Sequence, residues 1–140
     1  MESLDVKMAV VAGATSGAGP WVQVDHTDPE QVRALFARVR GEQGRLDVHV
    51  NDLTGDQHLA NDMLSGKGPV GFWEYPIESG LAVQQNGVHG HLIAAHFTAP
   101  LLIETGGELI VEVTDSNYLN YNGVGVYYSL EKGSWCFWPT

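Results

Sequence analysis

Tyr128 and Lys132 stand four residues apart, a spacing that puts both on one face of a helix. A lysine on that face stabilises a tyrosinate, and the tyrosine can then act as a general acid and base. The same spacing also suits an exposed helix pair without chemistry. Gly13-Ala-Thr15-Ser16-Gly17-Ala-Gly19 follows an apolar run, Lys7 to Ala12. Glycines placed there let the backbone approach a pyrophosphate, whose charge a helix N-terminus would stabilise. A flexible glycine turn is the alternative. His89, His91 and His96 raise the question of a metal, but no carboxylate or cysteine completes a ligand set. No metal is expected, and helix packing or surface positions are preferred for all three.

The elements that must position these residues are partly legible. Lys7 to Ala12 reads as a buried strand, Trp21 to Asp25 as a weaker one, and Leu46 to Val50 as a third. In that third strand Leu46, Val48 and Val50 alternate with Asp47 and His49, so its polar face is expected to meet water. Asp28, Pro29 and Gln31 form a helix start with a capping-box pattern, and Val32, Leu35, Phe36 and Val39 recur at helical spacing. Gly41 and Gly44 offer stops. Asn51 to Gly71 reads as a long mobile loop. A second helix is expected from Ser79 to about Ile103, interrupted by Gly87 and Gly90. Glu108 to Thr114 is the fourth strand, and a short helix is expected around Tyr127 to Lys132.

Strands alternating with helices imply parallel βαβ units. The expected fold is α/β, an incomplete Rossmann-like parallel sheet of about four strands with flanking helices, in one domain over residues 1–140. Ligands of such sheets bind beyond the carboxyl ends of the strands, which gathers Gly13 to Gly19, Asp25, Asn51 and Thr114 to Ser116 on one rim.

Composition narrows the classes. A net charge of −10 argues against nucleic acid and against anionic membranes. The one cysteine, Cys136, allows no internal disulfide. Met1 to Lys7 has no apolar core of a secretory signal, and no greasy stretch is long enough to span a bilayer. A soluble, cytoplasmic protein is expected.

Taken in order, the motifs resemble the short-chain dehydrogenase/reductase family. Val11-Ala-Gly-Ala-Thr-Ser-Gly-Ala-Gly19 is similar to its Thr-Gly-x-x-x-Gly-x-Gly cofactor turn, with Ala12 in place of threonine. Asp25-His-Thr-Asp28 is similar to the segment near the cofactor's adenine. Leu46 to Asp52 resembles the strand ending in Asn-Asn-Ala-Gly, with Asn51 retained. Phe72-Trp-Glu74 and Gly87-Val-His-Gly-His91 are similar to the branch that includes family member one. Tyr128 and Lys132 fall at the catalytic Tyr-x-x-x-Lys. The resemblance implies NAD or NADP as cofactor and hydride transfer to or from a small carbonyl or alcohol substrate. It implies that Tyr128 is the acid/base, with Lys132 its ribose-binding partner. Gly13, Thr15, Ser16, Gly17, Gly19, Asp25 and Asn51 would line the cofactor side.

Departures accompany it. Ser116 and Asp115 stand where the family has its catalytic serine. Ser116 there would donate a hydrogen bond to the carbonyl oxygen, whereas an ionised Asp115 would repel the developing oxyanion. The relay asparagine falls near Gly87, with Asn86 beside it. Only Pro20 separates Gly19 from Trp21, so the family's first helix and second strand have no counterpart, and the chain ends within eight residues of Lys132. A second reading is therefore a non-catalytic remnant that binds a nucleotide or pairs with another copy or an intact relative.

Overall fold

A computed structural model of the chain describes residues 7–14, 19–55, 71–107, 109–114 and 126–135. The first apolar run forms β1 (Ala9–Ala12), the alternating segment β2 (Val48–Asn51), and the third run β3 (Leu109–Glu112). They pair in parallel in the order β1-β2-β3, with Ala12 opposite Asn51 and Asn51 opposite Glu112. Helical crossovers make parallel pairing feasible: α1 (Pro29–Gln43) lies between β1 and β2 in the chain, and a longer helical stretch lies between β2 and β3. All three strands therefore end on one edge, where Gly13, Asn51 and Thr114 follow or close them.

The described sheet has three strands, not about four, because Trp21 to Asp25 pairs with no strand. Trp21 is 85% exposed and Val22 also faces solvent, so the segment has no sheet face to bury. It is extended chain that feeds a turn. Asp25 Oδ1 accepts from Thr27 N at 2.8 Å, and the Asp25 carbonyl accepts from Asp28 N at 3.1 Å.

Helix α1 starts and stops as its sequence directs. Asp28 Oδ1 accepts from Glu30 N at 2.9 Å, and Pro29 occupies the first turn. Gln31 reaches back further than a simple capping box, bridging Asp28 Oδ2 at 2.9 Å and Asp25 N at 3.0 Å. Of the two candidate stops it is Gly44 that caps, its amide donating to the Arg40 carbonyl at 3.0 Å. Val32, Phe36 and Val39 turn inward and pack with Leu46, Leu101 and Leu102.

The second helical stretch runs as α2 (Ile77–Gln84), a π turn (Gln85–His89) and α3 (Gly90–Thr105). Gly87 and Gly90 do not break it; the backbone widens by one residue there instead. The Thr105 hydroxyl ties the end of α3 to the start of β2, accepting from Leu46 N at 3.2 Å and standing 2.7 Å from the Leu46 carbonyl. The last helix, α4 (Val126–Ser134), brackets the Tyr128 to Lys132 segment.

These residues form two compact units. One comprises Met1–Asp52 with His91–Val113 and carries the sheet; the other comprises Leu53–Gly90 with Thr114–Thr140 and is helical where described. Among the described residues no helix is long and apolar enough to cross a membrane.

Candidate functional site

In the sheet unit the strand ends set the geometry. Gly13 closes β1 with a φ of 92°, a left-handed backbone that a side chain would resist. Gly19 has no atom within 4 Å of the position a Cβ would take. Thr15, Ser16 and Gly17 lie outside the described residues. Asp25 is exposed, and its carboxylate is engaged in the turn to Thr27.

Asn51 is fully buried, and both ends of its amide are engaged. Nδ2 donates to Glu112 Oε1 at 2.8 Å, and Oδ1 lies 2.8 Å from His49 Nε2. A carboxylate can only accept, so Asn51 must donate to Glu112, and His49 must donate from Nε2. Glu112 Oε2 meets His91 Nδ1 on the far side. A buried chain of four polar side chains, His49, Asn51, Glu112 and His91, thus crosses the ends of β2 and β3.

This reverses the expected facing of β2. Asp47 and His49 were expected on a water-facing side, yet both are buried, and Val48 and Val50 are the half-exposed pair. The reason is that Asp47 and His49 Nε2 have hydrogen-bond partners and the His49 ring has a packed cover. The Phe36 ring packs edge-on against His49 at 5.6 Å between centroids. Asp47 takes two bonds from Arg45, at 2.9 and 2.5 Å, and a third from Met8 N at 2.8 Å. The Arg45 guanidinium, with the Met8 amide, holds the Asp47 carboxyl well below the usual carboxylate range.

Burial holds His49 below the ordinary histidine value of 6.5, opposed by its bond to Asn51 and by the charge of Glu112. Burial also lowers His26, against the pull of Asp25. Both groups bind protons more readily once unfolded. Stability should therefore fall as pH drops below about 6.5, where the unfolded chain takes up protons that the native chain refuses. The urea midpoint is expected to decrease from about pH 7 to about pH 5. His49→Gln, which keeps a donor toward Asn51, should flatten part of that slope. A midpoint that is level over this range in the parent protein would contradict the burial of both rings.

In the helical unit, α4 is anchored to α2. Gln84 Nε2 donates to the Tyr127 carbonyl at 2.7 Å, and the Tyr127 ring packs over Gly80 and edge-on to Tyr75 at 6.3 Å. The anchored helix puts Tyr128 and Lys132 on one face, with Lys132 Nζ 5.3 Å from the Tyr128 ring centroid. Lys132 is buried and also stacks on Trp135 at 4.1 Å. Ser116 and Asp115 lie outside the described residues. Asn86, beside the expected relay position, donates instead to the Ala82 carbonyl at 2.9 Å within its own helix.

Sequence reasoning missed Glu112 and Glu131, and for His91 it preferred helix packing or a surface position to a metal. His91 is buried against Glu112, while His89 and His96 are exposed. Among the described residues no cluster of three or more His, Cys, Asp or Glu side chains could hold a metal. The signal for Glu112 was available, since a parallel register sets the last residues of two adjacent strands side by side. Glu131 had no such signal, because a glutamate flanked by leucine and lysine reads as a solvated helix residue.

A parallel sheet with helices between its strands is a Rossmann-like arrangement. No protein-family model matches the chain. The human protein "Dehydrogenase/reductase SDR family member 1" is 34% identical over 122 residues, covering 84% of this chain and 37% of that protein. The mouse protein of the same name is 33% identical over the same shares. Among solved structures, the ligand-free aldohexose dehydrogenase of Thermoplasma acidophilum superposes with a TM-score of 0.68 at 17% identity, over 91% of this chain and 47% of that one. ElxO with NADP bound gives 0.64 at 19% identity, over 81% and 42%. The chain resembles the short-chain dehydrogenase/reductases in sequence and shares their fold. It spans 37% of the length of the two mammalian relatives.

Proposed function

We propose that the chain carries the cofactor turn and catalytic helix of an NAD(P)-dependent oxidoreductase of the short-chain type, acting on a small carbonyl or alcohol. The observation that supports this most directly is α4, whose anchored face carries a buried Lys132 beside the Tyr128 ring. A nicotinamide cofactor, when bound, supplies or accepts the hydride. Tyr128 gives a proton to the carbonyl oxygen in reduction and takes it from the hydroxyl in oxidation. Lys132 stabilises the tyrosinate by its charge and binds the ribose. Ser116, or a protonated Asp115, donates a hydrogen bond to the carbonyl oxygen.

On the cofactor side, Gly13, Thr15, Ser16, Gly17 and Gly19 form the turn for the pyrophosphate, with Asp25 and Asn51 completing the set. The described part of that set fits such a group. Gly13 turns with a positive φ, and no neighbour crowds Gly19. Asn51 serves by holding the end of β2, since its amide is already spent on Glu112 and His49. The relative solved with NADP bound supports a nicotinamide dinucleotide, and experiment separates NAD from NADP. A cytoplasmic setting suits a chain whose only cysteine is Cys136.

The test is a tryptophan-fluorescence melt with NADPH or NADH. At about 100 times its Kd a ligand of the folded state stabilises it by about 2.7 kcal/mol, which raises the transition measurably. An upward shift with one cofactor selects it. No shift with either removes the oxidoreductase reading and leaves the second, an SDR-derived interaction module that pairs with another copy or an intact relative. The outward-facing Trp21 favours that second reading, because a large exposed aromatic suits an interface.

A further inference from the structure

Helix α4 is turned against its own hydrophobicity. Leu130 is 57% exposed, whereas Glu131 is fully enclosed and Lys132 is 8% exposed. Removing two charges from water costs more than their attraction readily returns, and the opposite helix phase would have buried the leucine instead. Apolar burial alone, of Trp135 and the Tyr127 ring, therefore did not choose this phase. Room for the carboxylate is made by Gly87, where a Cβ would fall 2.4 Å from Glu131 Cδ. Gly55 N donates to Glu131 Oε1 at 3.4 Å. Lys132 Nζ lies 3.5 Å from the same oxygen, 4.1 Å from the Trp135 ring centroid and 5.3 Å from that of Tyr128.

We infer that Glu131 is a positioning residue that holds the Lys132 ammonium between the rings of Tyr128 and Trp135. A lysine side chain has four flexible bonds, and ring faces attract a cation without fixing where along the face it sits. A buried carboxylate on the neighbouring residue selects one placement, because moving away from it would strand both charges in a poorly solvated site. Glu131 acts only through Lys132. Its relevance to turnover rests on the oxidoreductase reading, but its structural role does not.

The test uses the full chain with its amines [13C]-dimethylated, which preserves the positive charge. The chain has three lysines, Lys7, Lys67 and Lys132, so few resonances appear, and Lys132→Arg identifies the one in question. Ring currents should displace the Lys132 methyl signal upfield of its position in urea. Glu131→Gln keeps an oxygen for the Gly55 amide and loses the charge; it should return the signal most of the way to the urea position. Glu131→Asp should restore part of the displacement. An undisplaced signal in the parent protein, or an unchanged one in Glu131→Gln, overturns the inference. If Glu131→Gln does not fold, Glu131→Gln/Lys132→Met decides the matter. A cooperative melt in the double variant supports the pairing, and failure of both overturns it. The cofactor melt of the parent chain judges the oxidoreductase reading separately, so the two can fail independently.

Discussion

Replacing Tyr128 by phenylalanine is expected to lower kcat/KM by about 10²–10⁴-fold, the range for removal of a positioned general acid. The substitution is unusually clean here. Phenylalanine keeps the ring that Lys132 stacks on, so the packing of Lys132 and Trp135 survives while the ionisable hydroxyl is lost. The measurement is turnover of a panel of carbonyl substrates with the cofactor chosen by the melt, alongside that melt on the variant. Lost turnover with an intact cofactor shift assigns the proton transfer to Tyr128. Turnover within a few-fold of the parent would contradict that role. Lys132→Met is a poorer probe, because it leaves the enclosed Glu131 carboxylate without its nearby cation.

The second large effect is one of stability. Glu112→Val should cost about 3 kcal/mol, the range for removing one partner from a buried charged network. Valine suits the strand, so β3 itself should persist, but the acceptor shared by Asn51 Nδ2 and His91 Nδ1 disappears. Glu112→Gln keeps one carbonyl oxygen for Asn51 and should cost clearly less. Urea unfolding of the three proteins at neutral pH measures both values. Equal midpoints for Glu112→Val and the parent would show that the buried chain contributes nothing to the sheet. Because Asn51 closes β2 beside Ala12, the same variant should also weaken any cofactor shift in the melt.

Much of this architecture is written locally. Asp28, Pro29 and Gln31 start α1, Gly44 stops it, and the recurrence of Val32, Phe36 and Val39 chooses its inner face. These signals act over a few residues, so they survive any tertiary context. The same holds for the Tyr128 to Lys132 spacing and for the order of motifs that marks the family. Such order is one-dimensional information, and it needs no knowledge of what packs where.

What the chain could not declare alone was which faces are covered. Alternation along Leu46 to Asn51 specifies two faces of a strand but not which one a helix will roof. The tertiary fold put Asp47, His49 and Asn51 inside, where Arg45 and Glu112 bond Asp47 and Asn51, Asn51 bonds His49 and Phe36 covers its ring, and left Val48 and Val50 half-open. Trp21 to Asp25 has strand-forming residues, yet a strand exists only if a neighbour offers its edge, and none of the three does. In the same way Glu131 looks like a surface residue until Gly87 supplies the space and Lys132 the charge that allow its burial. Capping, periodicity and motif order are local and belong to the sequence. Burial of a polar group depends on partners distant in the chain, as with Glu131 and Gly55, and only the folded structure brings those partners together.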